Sequence, residues 1–151
     1  FALVKEQTRD NPVFYVQYAH ARTHSVFRMA ARDVGITWES FQHARRRDEI
    51  DLTLLSSAEE LELIRILAQW PRTVVAAATA HEPHRIAFYL YEAAAAFHAF
   101  WAKGKEDPSL RFVNADQPTL TLARLVLVAA MRQVLLNGLR LLGVSAPEEL
   151  S

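Results

Sequence analysis

The longest apolar stretch of the chain, LARLVLVAAMRQVLLNGLRLLGV over residues 122–144, admits few folds. As a helix it is long enough to cross a bilayer. Arg124, Arg132, Gln133, Asn137 and Arg140 interrupt it, too many polar groups for a lipid-facing span. It therefore reads as a buried helix with one wet edge, and such a helix needs other helices around it. The 151 residues supply them, because a chain of this length buries roughly two-thirds of its unfolded surface in one domain. With 51% hydrophobic and 23% charged residues, the composition is that of an ordinary globular protein.

The punctuation upstream is helical. Asn11 before Pro12 is a helix entry: the Asn side chain caps exposed amides, and the proline ring suits the first turn. That helix runs to about Val34, with Gly35 as its left-handed stop. Residues 36–55, including the basic run HARRRDE, show no clean period and read as a loop with short turns. Ser57 and Glu60 have the spacing of a capping box and launch LELIRILAQW. Pro71 separates that helix from RTVVAAATA, HEPH ends the latter, and Pro83 restarts the chain into HRIAFYLYEAAAAFHAFWAK, closed by Gly104. Residues 104–118 read as a crossing loop, and a last helix runs from Thr119 to Gly143. About five helices, no alternating strand pattern and no internal repeat predict an all-α helical bundle.

Several chemistries are excluded or unsupported. With no cysteine there is no disulfide, thiolate zinc site or cysteine nucleophile, and a reducing compartment is expected, by default the cytoplasm. Seventeen basic and seventeen acidic residues cancel, so nucleic-acid binding would need a local basic patch. The clearest is Arg45, Arg46 and Arg47, which suits either a solvated loop or contacts to phosphates. His20 and His24 have the i, i+4 spacing of helical metal ligands but lack a third ligand, so no metal is expected. His81 and His84 read as turn residues, and His98 as a hydrogen-bonded packing residue. Arg124, Arg132 and Arg140 drift by about 80° per step and form no single stripe. No serine nucleophile elbow, glycine-rich phosphate loop or paired carboxylates appear, so no catalytic residue is assigned. The chain opens on Phe1 and shows no secretion signal; no membrane partner is expected, and the chain reads as cut from something longer.

The first helix divides by angle. Val16, Ala19, Thr23, Val26, Phe27, Ala30 and Val34 make a continuous core stripe. Tyr15, Tyr18, Arg22 and Met29 lie on its shoulder, whereas Gln17, His24, Arg28 and Arg32 fall on the far, solvated side. Phenols one turn apart with a guanidinium behind them make a stacking platform for unpaired bases. The same pattern describes aromatics packed under a loop, and periodicity alone leaves both readings open.

Three runs taken in order, NPVFYVQYAHAR, PHRIAFYLYEAAAAFHAFW and LARLVLVAAMRQVLLNGLRLLGVSAPEEL, resemble successive helices of the C-terminal anticodon-binding (DALR) domain of arginyl-tRNA synthetases, a class I family. The likeness spans nearly the whole chain. It implies residues 11–151 as an anticodon-binding helical bundle of the class Ia type, with residues 1–10 as a linker from an upstream catalytic domain. It further implies a grip on the anticodon stem and loop of an arginine tRNA, positioning it for ATP-dependent aminoacylation. ATP and magnesium are used by the catalytic domain; no HIGH-like or KMSKS-like segment occurs here, so this chain alone is expected to be inactive, with no cofactor of its own. Tyr15, Tyr18 and Arg22 match positions that the family turns toward the anticodon loop, and Tyr89 matches an aromatic position implied to face the same loop. Leu150 stands where the family commonly ends in a methionine near the anticodon, followed here by Ser151; Phe14 stands where tyrosine is common. The rival reading is a helical protein-interaction module that docks a partner helix on the aromatic shoulder.

Overall fold

The computed structural model describes residues 11–150. These form six α-helices: α1 (Pro12–Val34), α2 (Trp38–Arg46), α3 (Ala58–Ala68), α4 (Trp70–Ala80), α5 (His84–Glu106) and α6 (Pro118–Leu141). Single 3-10 turns stand at Leu52–Leu54 and Pro108–Leu110, and there is no strand among the described residues. The all-α bundle expected from the punctuation is what the chain forms. The proposed linker, residues 1–10, and Ser151 lie outside the described residues.

The caps explain most boundaries. Asn11 accepts from the Val13 amide at 3.0 Å and starts α1. Gly35, at φ 70°, ends it in the left-handed region that favours glycine. Ser57 and Glu60 close the capping box of α3 at 2.9 and 3.1 Å.

Two boundaries differ from expectation. Residues 36–55 contain α2: Thr37 caps it through the Ser40 amide at 3.1 Å, and Trp38 and Phe41 turn one side against Phe27 of α1. Nine residues carry too few apolar positions for a period to show, so tertiary contact rather than pattern sustains this helix. Gly104 does not end α5, which runs on to Glu106. It is buried where the following loop crosses, and a Cβ there would stand 3.2 Å from Arg111 Cα and Leu110 O.

α1, α5 and α6 pack on one another, α3 packs against both α5 and α6, and α4 lies on α5. α6 passes a length-and-composition test for a membrane span, yet half of its most apolar window is buried inside the bundle. Its Leu125, Val128, Met131, Leu135 and Leu139 enter the core beside Val16, Ala19, Val26, Leu90, Ala93, Phe97 and Phe100. Small residues let the axes approach: a Cβ on Gly138 of α6 would stand 2.4 Å from Leu90 Cδ2 of α5.

Among the described residues, one ion pair is buried. Arg124 Nε donates to Glu60 Oε2 at 3.1 Å, and Arg124 Nη1 donates to the Ser109 and Arg111 carbonyls, both at 2.7 Å. Burial alone would raise the Glu60 carboxyl; the bonds from Ser57 and Arg124 outweigh it and hold its pKa below the usual value. One cation thus fastens α6 to the start of α3 and to the loop after α5.

Candidate nucleic-acid interface

Tyr15, Tyr18 and Arg22 share a face of α1, as their spacing requires, and α5 supplies what lies opposite. Tyr91, His98 and Trp101 recur along one side of α5, the first two meeting α1 tyrosines ring to ring and the third meeting Arg22. Tyr15 lies 5.0 Å from Tyr91 and 4.7 Å from His98, centroid to centroid, and Tyr18 stacks on His98 at 5.3 Å with 26° between planes. Arg22 completes the group: its guanidinium carbon stands 4.5 Å from the Tyr18 ring centroid and 5.0 Å from that of Trp101. Its Nη2 donates to the Tyr18 hydroxyl at 2.6 Å, and Nη1 donates to His98 Nδ1 at 3.0 Å.

The C-terminal segment forms a further wall. After Gly143, at φ 70°, the chain turns back along α1. Gln17 Nε2 donates to the Ser145 carbonyl at 2.9 Å, His20 Nδ1 donates to the Pro147 carbonyl at 2.9 Å, and Arg28 lies 3.8 Å from Glu149. This covers much of the side of α1 expected to face solvent, because a strap after the last helix has no periodic signature on the helix it covers. Leu150 thereby reaches the cleft of about 410 Å³ lined by Tyr18, Arg22, Met29 and Trp101. The sequence puts Tyr18 and Arg22 on one shoulder and Leu150 far from them along the chain; the fold puts all three in one cleft.

Beneath the strap, the His20 and His24 rings meet edge to face at 5.0 Å. Both imidazoles are held toward the neutral form. Burial, then the positive charge of Arg132, brings His24 down to about 4, and burial likewise lowers His20. Among the described residues no group of three or more potential ligands stands where it would hold a metal ion.

Tyr89 does not join the face. It is 5% exposed, packs on Trp70 and donates its hydroxyl to the Ile66 carbonyl at 2.7 Å. Burial, then the charge of Glu92, pushes its phenol up to about 12, so it remains a donor. Two residues make 200° on a helix, so the aromatic that meets Tyr15 is Tyr91, which is 46% exposed. Tyr91 and Trp101 were missed, and their recurrence with His98 at i, i+7 and i+10 was the available signal.

Arg45 and Arg46 occupy the last turn of α2, and Arg47, its C-cap, pairs with Glu49 at 2.8 Å. All three are exposed, and none of them lines the cleft formed by Tyr18, Arg22, Met29, Trp101 and Leu150, so the fold does not bring them into it. Arg132 lies over the Trp38 ring at 4.4 Å, and Arg140 is exposed.

A family model described as the DALR anticodon binding domain matches residues 16–150. The chain belongs to that family. Relatives of this DALR domain include the arginine-tRNA ligase of Methylobacterium nodulans, 56% identical over 149 residues, which are 99% of this chain and 25% of that protein. The arginine-tRNA ligase of Sinorhizobium medicae is 53% identical over 154 residues, again 99% of this chain and 25% of that protein. Among solved structures, the arginyl-tRNA synthetase of Thermus thermophilus superposes with a TM-score of 0.69 at 31% identity, covering 97% of this chain and 22% of that one. The DALR domain thus spans about a quarter of the length of the curated relatives it matches.

Proposed function

We propose that this DALR domain grips the anticodon stem and loop of an arginine tRNA as part of an arginyl-tRNA synthetase, the enzyme to which its relatives belong. The observation that carries the reading is the open face where Arg22 lies between Tyr18 and Trp101, with Tyr15 and Tyr91 alongside and Leu150 as a wall. Rings of Tyr18, 37% exposed, and Tyr91 offer surfaces on which loop bases stack, each worth about 1–3 kcal/mol. Arg22 reaches a base edge or phosphate with donors its protein partners leave over. Arg45, Arg46 and Arg47 contact phosphates farther along the RNA, adding salt-dependent affinity without reading sequence.

In this reading a catalytic domain of the same parent chain carries out aminoacylation in the cytoplasm with ATP and magnesium, and the present domain holds the tRNA for it. The test is titration of an arginine anticodon stem-loop RNA at fixed salt and across salt concentrations. Affinity should fall steeply with salt, depend on the anticodon and drop about tenfold in Tyr18→Ala. An unchanged affinity in a folded Tyr18→Ala protein removes the stacking role; no RNA binding at low salt turns the reading to a protein-interaction module.

A further inference from the structure

Base stacking accounts for the tyrosines of this face but not for His98, which is half-buried between them and offers RNA little surface. Its atoms point instead at α1. A guanidinium N–H only donates, so the Nδ1 that meets Arg22 Nη1 at 3.0 Å accepts, and the ring proton sits on Nε2. Nε2 in turn faces the Tyr15 carbonyl at 3.5 Å, which selects that tautomer.

We propose that His98 is a positioning residue for Arg22, its Nδ1 lone pair holding the guanidinium in the slot between Tyr18 and Trp101 so that it meets RNA already oriented. The proposal rests on the tRNA-binding reading and adds the residue that organises the site. Arg22 has five N–H donors and no lone pair, so its plane is set by acceptors placed around it. The Tyr18 hydroxyl is one, on the same helix and one turn away. His98 is the second, and being on α5 it fixes the guanidinium against both helices at once. A flexible arginine must otherwise be ordered when RNA arrives, at the expense of affinity.

The experiment compares His98→Asn, His98→Gln and His98→Leu in this chain. Asparagine puts its oxygen the same number of bonds from Cβ as Nδ1, glutamine puts it one bond farther out, and leucine has none. Stem-loop affinity should fall roughly five- to tenfold in His98→Leu and His98→Gln and stay within about threefold in His98→Asn. His98→Leu combined with Arg22→Ala should bind no worse than Arg22→Ala alone, since His98 acts through that arginine. In parallel, nitrogen NMR of the Arg22 guanidinium should show restricted rotation in the unmodified and His98→Asn proteins, lost in the other two. Unchanged affinity in His98→Leu, equal losses in His98→Asn and His98→Gln, or multiplying losses in the double variant would overturn the proposal. Should His98→Leu not fold, the asparagine and glutamine pair decides. If the unmodified chain binds no stem-loop, the tRNA reading fails, and the NMR comparison judges the positioning role by itself.

Discussion

Replacing Arg124 with leucine tests the strongest polar restraint in the bundle. The Arg124 and Glu60 side chains are 4% and 2% exposed, so neither reaches water when its partner is removed. Arg124→Leu leaves Glu60 Oε2 without its cation and deprives the Ser109 and Arg111 carbonyls of their donor. Breaking a buried pair from one side costs about 3–5 kcal/mol, most of it the stranded charge. The described domain unfolds with an entropy of about 0.3 kcal/mol per kelvin, so Tm should fall by roughly 10–15 °C. Thermal and urea denaturation at several pH values make the assay discriminating. In the parent protein the Glu60 carboxyl is held below its ordinary pKa, so its stabilising contribution is present above the unfolded value and lost as pH falls. In Arg124→Leu, burial without a cation raises that pKa, so the carboxyl destabilises at neutral pH and recovers on protonation. Both effects narrow the gap between parent and variant as pH drops from 7 to 4. A Tm loss under about 3 °C, or a gap that does not change with pH, would refute the reasoning.

Three further outcomes are expected. Because His20 and His24 bind protons more weakly folded than unfolded, stability should fall as pH drops from 6.5 toward 4, by on the order of 2 kcal/mol after discounting for partial exposure, and urea melts of His24→Gln should show a flatter profile. Gly138→Ala pushes a Cβ into the fully buried Leu90 and should cost about 1–3 kcal/mol in urea denaturation despite alanine's better helix propensity. Tyr89→Phe loses the bond to the Ile66 carbonyl, about 1 kcal/mol of stability, with stem-loop affinity unchanged; a lost affinity would restore Tyr89 to the RNA face.

Features that depend on neighbours along the chain were legible in the residues. Asn11 with Pro12, Gly35, and Ser57 with Glu60 act through backbone groups within a few positions, so their spacing specifies the geometry. The core stripe of α1 follows from helical angle, and Val16, Ala19, Thr23, Val26, Phe27 and Ala30 are all buried. The drift of Arg124, Arg132 and Arg140 around their helix also agrees with the fold, where the first is buried, the second lies over Trp38 and the third is exposed.

The sequence by itself determined an all-helical bundle and the α1 half of the proposed RNA face, because 3.6 residues per turn puts Tyr15, Tyr18 and Arg22 together whatever surrounds them. Only the tertiary structure decided the other half. The rotation and axial placement of α5 against α1 choose Tyr91, His98 and Trp101 over Tyr89, and the turn at Gly143 delivers Leu150 to the same cleft. The physical reason is that side chains 76 residues apart, as Arg22 and His98 are, meet through how buried surfaces pack, and no local spacing encodes that meeting.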